Sequence, residues 1–126
     1  MKTEILTHLA PAPIGPYSQA IEAGGFLFCS GQIPLDPITG NLVGEGNVEA
    51  QTAQVMKNIS ALLVHASAGF NQVVKTTIYL KNMGDFPKVN AIYGEHFKAP
   101  FPARSTVEVA RLPKDVLVEI EVIVKK

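Results

Sequence analysis

An arginine and two glutamates stand inside the two most apolar segments near the C-terminus of this 126-residue sequence. Arg104 is the second residue of the segment ARSTVEV, and Glu119 and Glu121 alternate with aliphatic residues in VLVEIEV. A guanidinium binds a carboxylate through two parallel hydrogen bonds, and a nearby carboxylate can orient or deprotonate a water molecule. The three residues therefore fit chemistry on a small organic anion. They also fit a cross-strand ion pair on a solvated face, which contributes about 0–1 kcal/mol and is the commoner outcome of such a pattern.

Strand alternation predicts how these charges are arranged. Both segments are rich in β-branched residues and a short polar loop joins them, so we expect them to pair as a closing β-hairpin. Because the second segment carries one unbroken apolar row, the Val107 face of the first segment is expected to join that row in the core. Arg104 and Thr106 then share a surface with Glu119 and Glu121, and the spacing leaves open which glutamate lies nearer the arginine. The apolar row consists of Val116, Val118, Ile120, Val122 and Val124.

The rest of the chain alternates strand-like and helix-like segments. Strands are predicted around Tyr17–Ala23 and Phe26–Ser30 and in the alternating segment VVKTTIYL. One helix is expected to begin after the capping residue Asn47 and to end near Gly69, and another to begin after Asp85. Strands that alternate with helices indicate βαβ crossovers. We therefore predict an α+β fold, a mixed β-sheet with two helices packed on one face.

Bulk composition narrows the possible partners. The length predicts a single domain over residues 1–126. With 47% hydrophobic residues, 17% charged residues and a mean hydropathy of +0.19, the chain is apolar enough to suggest a homo-oligomer. A formal net charge of zero argues against nucleic-acid and membrane partners. The single cysteine and the absence of a signal-peptide pattern lead us to expect a cytoplasmic location.

Four sequence blocks resemble the RidA/YjgF reactive-intermediate deaminase family. They are PIGPYSQAI, FCSGQIPLDPITG, YLKNMGDFPKVNAIYGEHF and FPARSTVEVARLPKDVLVEIEV, in the order that the family shows. The resemblance spans essentially the whole chain. It implies a chorismate-mutase-like fold assembled as a homotrimer, with ligand sites between subunits. It also implies hydrolysis of 2-imino acids (2-iminobutanoate and 2-iminopropanoate) and their enamine tautomers to 2-keto acids and ammonia, without a cofactor.

The resemblance also assigns roles to individual residues. The arginine after PA falls on Arg104, expected to bind the substrate carboxylate, and the first glutamate of EIE falls on Glu119, expected to position the attacking water. Tyr17 is expected to line the pocket, and Gly31 to let the backbone approach the ligand closely. Asn90 is carried over as a further substrate-binding position.

One position departs from the family pattern. Many members have cysteine two residues after the arginine, where this chain has Thr106. The contact expected there is mainly from the backbone N–H to the substrate carboxylate, which threonine still allows. A mechanism that needs a thiol at this position is not expected for this chain.

Other residue patterns carry less chemistry. Cys29 follows three apolar residues and is expected to be a buried packing residue, and His8, His65 and His96 lack metal-ligand spacing, so no metal site is expected.

Two functions compete with the deaminase. One is a regulatory module that binds small carboxylates without turnover, and the other is a ribonuclease or translation inhibitor. The sequence separates the regulatory module poorly from an enzyme, because an arginine that binds a carboxylate and a pocket around it would serve both functions.

Overall fold

The computed structural model describes all residues, 1–126, and shows one mixed six-stranded sheet with two helices. The strands are β1 Thr3–Ile5, β2 Ala20–Ala23, β3 Phe26–Cys29, β4 Val73–Leu80, β5 Ala103–Glu108 and β6 Val118–Lys125; the helices are α1 Val48–His65 and α2 Phe86–Gly94. The spatial order of the strands is β1-β2-β3-β6-β4-β5. The predicted fold class is confirmed. A single apolar cluster lies between the helices and the sheet and draws on both helices and on four strands, β2, β3, β4 and β6. The assignment of residues 1–126 to one domain stays a prediction.

The longer helix, α1, follows directly from its sequence. The side chain of Asn47 caps it by accepting a hydrogen bond from the Ala50 N–H at 3.0 Å, as predicted. Val55, Ile59 and Leu62 recur at helical spacing and are completely buried against the sheet. The helix ends at His65, four residues before the glycine that was expected to end it. Neither helix combines the length and hydrophobicity that a bilayer crossing requires.

The second helix, α2, connects two parallel strands. It leads from β4 to β5, which confirms a βαβ crossover. Pro87 sits in its first turn, where a missing backbone N–H has no consequence. Asp85 occupies the N-cap position, but its side chain makes no capping hydrogen bond. Its position was predicted correctly, and its predicted role was wrong.

The predicted closing hairpin does not form. β5 pairs only with β4, and β6 lies between β3 and β4, so β4 separates the two segments that we expected to be neighbours. The connection from 109 to 117 includes a 3-10 turn at Pro113–Asp115 and is long enough to pass over one strand. The reason is burial, because β4 carries a face that is completely buried at Thr76, Ile78 and Leu80, whereas β5 is exposed along most of its length and takes the edge of the sheet.

Insertion of β4 also reverses the predicted face of Arg104. Thr76 of β4 lies opposite Arg104 of β5, whereas Tyr79 of β4 lies opposite Glu119 of β6. Residues three apart on a strand point to opposite faces, so Arg104 lies on the helix-covered face and Glu119 on the open face. The prediction that arginine and glutamates share one surface is therefore wrong within a single chain. Val107, placed in the core by the prediction, is on the open face and 41% exposed.

Candidate functional site

Arg104 is an arginine without an acidic partner. The two ion pairs of the chain are Arg111 with Asp115 and Lys126 with Glu22, and neither involves Arg104. This excludes the cross-strand ion pair that the sequence pattern favoured on frequency alone. The guanidinium instead donates one hydrogen bond, from Nη1 to Asn90 Oδ1 at 2.6 Å. Its remaining N–H groups are free to meet an anion from outside the chain.

The cleft beside Arg104 has apolar walls and one cationic end. It encloses about 550 Å³ between α2 and the segment that leads into β5. Asn90 and Arg104 supply its polar groups, so these two predicted site residues come together. A planar, fixed-charge donor in an apolar cleft suits a small carboxylate. The lining residues are Asn90, Tyr93, Gly94, Phe97, Phe101, Pro102 and Arg104.

Thr106 lies on the same face of β5 as Arg104, but it does not line this cleft. Its side-chain Oγ1 is buried and has no hydrogen-bond partner in the chain. A buried hydroxyl without a partner is uncommon and costs stability. The predicted contact through the Thr106 backbone is not tested by this arrangement and stays a prediction.

Glu119 lies in a second cleft, on the open face of the sheet. This cleft of about 520 Å³ also contains Tyr17 and Gly31, so three predicted site residues meet here. Burial, and after it the like charge of Glu121, raises the pKa of the Glu119 carboxyl above its usual value. Lys114, which the sequence analysis did not single out, joins the same lining from a turn where its backbone is left-handed at a φ of 55°.

The two glutamates of β6 differ in what they contact. Glu121 Oε1 accepts a hydrogen bond from the Tyr79 hydroxyl at 2.7 Å, and this bond raises the pKa of Tyr79. Glu119 makes no side-chain hydrogen bond within the chain and lines the cleft. The free carboxylate is therefore Glu119, the glutamate that the sequence motif selected.

Gly31 leaves the space that the Glu119 carboxyl occupies. A Cβ atom at position 31 would lie 2.9 Å from Glu119 Cδ and would overlap its Oε2. The backbone on either side is fixed, because Ser30 N donates to Gln19 O and Gln32 N donates to Ile120 O. A side chain at position 31 would therefore displace the Glu119 carboxyl, whereas the close approach of the Gly31 backbone to a ligand stays a prediction.

Tyr17 is positioned by an irregular segment that the sequence analysis assigned to a strand. The strand expected at Tyr17–Ala23 begins only at Ala20, because the buried side chain of Gln19 ties down the preceding loop. Gln19 bonds the backbone of Thr7, Ala10 and Pro11 through its amide group. Tyr17 is thereby left half exposed at the rim of the cleft.

Cys29 takes no part in either cleft. It is buried on β3, and burial raises the pKa of its thiol to about 12. A thiol with this pKa is almost entirely protonated at neutral pH and is a poor nucleophile. Its predicted role as a packing residue is confirmed.

The structure thus divides the predicted residues into two groups on opposite faces of the sheet. We call Arg104 with Asn90 the clamp half, and Tyr17, Gly31 and Glu119 the acid half. One chain carries both halves without joining them in one cleft. The clamp half presents an anion-binding group beside an apolar wall, and the acid half presents a glutamate with a raised pKa on the opposite face of the sheet.

Comparison with known proteins identifies the family. The family model described as Endoribonuclease L-PSP matches residues 7–126. A RutC family protein of Synechocystis is 63% identical over 118 residues, which cover 93% of this chain and 91% of that protein. The 2-iminobutanoate/2-iminopropanoate deaminase of Salmonella typhimurium is 48% identical, covering 98% of this chain and 97% of its own length. The chain belongs to this family, the RidA/YjgF or Rid family, as its motifs indicated.

Solved structures agree with this assignment. A protein of the conserved Rid family from Yersinia pestis, described as of unknown function, superposes with a TM-score of 0.96 at 54% identity and full coverage of both chains. Escherichia coli TdcF, solved with bound serine, gives a TM-score of 0.90 at 39% identity, with 98% of both chains covered. These similarities extend over the whole sheet and both helices.

A substitution at Gly31 tests whether that glycine sets the position of Glu119. In Gly31→Ala the added methyl group should push the carboxyl out of its niche into solvent, so the pKa of Glu119 should fall toward its usual value. Carboxyl-carbon NMR titration measures this directly. Gly84→Ala is the matched control, because a Cβ there meets no atom within 4 Å. An unchanged Glu119 pKa in Gly31→Ala would refute the close-approach role.

Proposed function

We propose that this protein hydrolyses small 2-imino acids and their enamine tautomers to 2-keto acids and ammonia. The observation that carries the proposal is the guanidinium of Arg104, which has no carboxylate partner in the chain and sits at the end of an apolar cleft with Asn90. The Salmonella relative named for this activity supports it. The serine bound by the E. coli relative supports a ligand with a carboxylate and a short side chain.

We propose further that the active assembly is a homotrimer in which a second copy brings the acid half against the clamp half. One chain separates the halves by the thickness of its sheet, so a cleft that holds both requires two chains. The open face offers an apolar surface for association, with Phe28 45% exposed and Val107 41% exposed. Each interface would be head-to-tail, the type that closes into a ring.

The proposed chemistry needs few groups. Arg104 binds the carboxylate and orients the imine, and Glu119 takes a proton from a water molecule that adds to the imine carbon. The resulting carbinolamine breaks its C–N bond when its nitrogen is protonated, which releases ammonia and leaves the keto group. One water is consumed, and nothing is oxidised or reduced. Imines also hydrolyse unaided, so orientation and one acid–base group, worth roughly 10²–10⁴-fold, are sufficient help.

A second candidate is cleavage of RNA, which the description of the matching family model favours. The absence of a net positive charge argues against tight, salt-sensitive RNA binding. The third reading, a carboxylate-binding regulator without turnover, would use the clamp half alone. An assay of keto-acid release beside an RNA cleavage assay separates the three.

Removal of the clamp should abolish turnover. The assay couples the protein to a threonine dehydratase and follows release of 2-oxobutanoate. Arg104→Ala should lower kcat/KM at least about 100-fold, the loss expected when a bidentate, charge-assisted hydrogen bond to the substrate carboxylate disappears. Arg111→Ala, at the only other arginine, should retain wild-type activity. Wild-type activity in a folded Arg104→Ala protein would contradict the carboxylate clamp.

Removal of the acid should separate stability from activity. Because the folded-state pKa of Glu119 is raised, its ionisation opposes folding as pH rises through that pKa. Glu119→Gln should therefore stabilise the protein at neutral pH, by no more than about 1 kcal/mol for this half-exposed group, and this gain should vanish in acid.

The same variant, Glu119→Gln, should lose turnover but keep keto-acid binding. Thermal unfolding from pH 4 to 8 and the coupled assay measure both. If Glu121→Gln loses turnover and Glu119→Gln does not, the acid has been assigned to the wrong glutamate.

Mixing two inactive variants tests whether the site is shared between copies. Co-expressed Arg104→Ala and Glu119→Gln chains each supply the half that the other lacks. Random assembly into rings should restore about one quarter of the sites. Arg104→Ala mixed with Arg104→Lys, which are altered in the same half, should give no recovery. Mixed trimers verified by native mass spectrometry that stay inactive would show that no site is formed between copies.

A further inference from the structure

Three residues on one side of α2 contact the guanidinium of Arg104. Phe86, Asn90 and Tyr93 are spaced four and three residues apart, so they lie on the same side of the helix. All three contact Arg104. Its Cζ atom lies 5.1 Å from the centre of the Phe86 ring and 5.1 Å from the centre of the Tyr93 ring, and Asn90 Oδ1 accepts from Nη1. Both distances are within the range of cation–π attraction.

The two rings are themselves held in place. Tyr93 is 6% exposed, its hydroxyl is hydrogen-bonded to the buried Thr76 hydroxyl at 2.8 Å, and its ring packs on Phe97 with 4.6 Å between ring centres. Thr76 is also the residue directly opposite Arg104 in the neighbouring strand. Phe86 is partly buried and packs against the core. The rings therefore form a fixed support under a side chain that is otherwise long and flexible.

We propose that Phe86 and Tyr93 are positioning residues that hold Arg104 in one orientation before its ligand arrives. With Nη1 bonded to Asn90, the Nε and Nη2 groups have no partner in the chain, and together they form an edge that can receive both oxygens of a carboxylate. An arginine fixed in advance loses less rotamer freedom on binding, so affinity rises without a new ligand contact. The identity of the ligand as a 2-imino or 2-keto acid rests on the proposed function, whereas the fixed orientation does not.

The orientation can be measured without any activity, because the chain has only two arginines, Arg104 and Arg111. Their Nε–Hε groups give two resolved ¹⁵N NMR signals, assigned with Arg111→Lys. Phe86→Leu should lower the heteronuclear NOE of the Arg104 Nε toward the value for a freely moving side chain. Phe70→Leu is the matched control, because Phe70 is also partly buried against the core but contacts His96 and Phe97 rather than Arg104. Arg111, paired with Asp115, should be unchanged in both variants.

The functional consequence is a split between KM and kcat in the coupled assay. Phe86→Leu should raise KM roughly 3- to 30-fold, the range that one cation–π contact supports, and change kcat less than about threefold. Phe86→Tyr, which keeps a ring, should restore KM. Tyr93→Leu should raise KM as well. Because Tyr93 is deeply buried, this variant could fail to fold, and Phe86→Leu is then the decisive variant.

The two measurements keep this inference separate from the proposed function. An Arg104 Nε that stays as ordered in Phe86→Leu as in the wild type overturns the positioning role. So does an equal rise of KM in Phe70→Leu, which would reveal a general packing effect. If the wild-type protein shows no deaminase activity, the proposed function fails, and the NMR result together with titration by pyruvate still decides the positioning role.

Discussion

The position of β4 between β5 and β6 is the constraint on which the rest of this structure depends. Its backbone bonds both neighbours, parallel on one side and antiparallel on the other, so it fixes the register of the arginine strand and of the glutamate strand at once. An alternating strand with two bonded neighbours assigns every cross-strand side chain to one face or the other. Arg104 is thereby committed to the helix-covered face and Glu119 to the open face. No local adjustment of the side chains can bring them together within one chain.

This separation prevents the two charged groups from pairing with each other, and neither has another ionic partner in the chain. Eleven acidic residues are available, yet none forms an ion pair with Arg104, and the Glu119 side chain makes no hydrogen bond in the chain. Each group is instead supported by neighbours that do not neutralise it. Two aromatic rings and an amide hold the guanidinium, and the missing side chain of Gly31 leaves room for the carboxyl. Charges that are fixed in place but not neutralised are suited to act on a ligand.

The electrostatic setting of the two halves differs as their proposed tasks require. A guanidinium keeps its charge at any physiological pH, which suits a group that must always hold an anion. A carboxyl whose pKa is raised by burial and by Glu121 is easier to protonate, which suits a group that must accept and return a proton. The Tyr79 hydroxyl keeps Glu121 engaged, so that the two glutamates of β6, only two residues apart, are not equivalent.

The sequence by itself determined the fold class, the helix cap at Asn47, the inward stripe of α1, the packing role of Cys29 and the family. These features depend on residue periodicity, on local hydrogen bonds and on recognisable motifs, all of which are short-range. Only the tertiary structure decided which strands are neighbours, and so which face carries Arg104. The alternation of apolar and polar residues predicts which residues share a face of their own strand, but it does not predict which strand is the neighbour in the sheet. The hairpin prediction failed because adjacency in sequence was taken for adjacency in the sheet. The support of Arg104 by Phe86 and Tyr93, and of Glu119 by Gly31, was invisible for the same reason, since each joins elements whose relative placement is set by packing of the whole core.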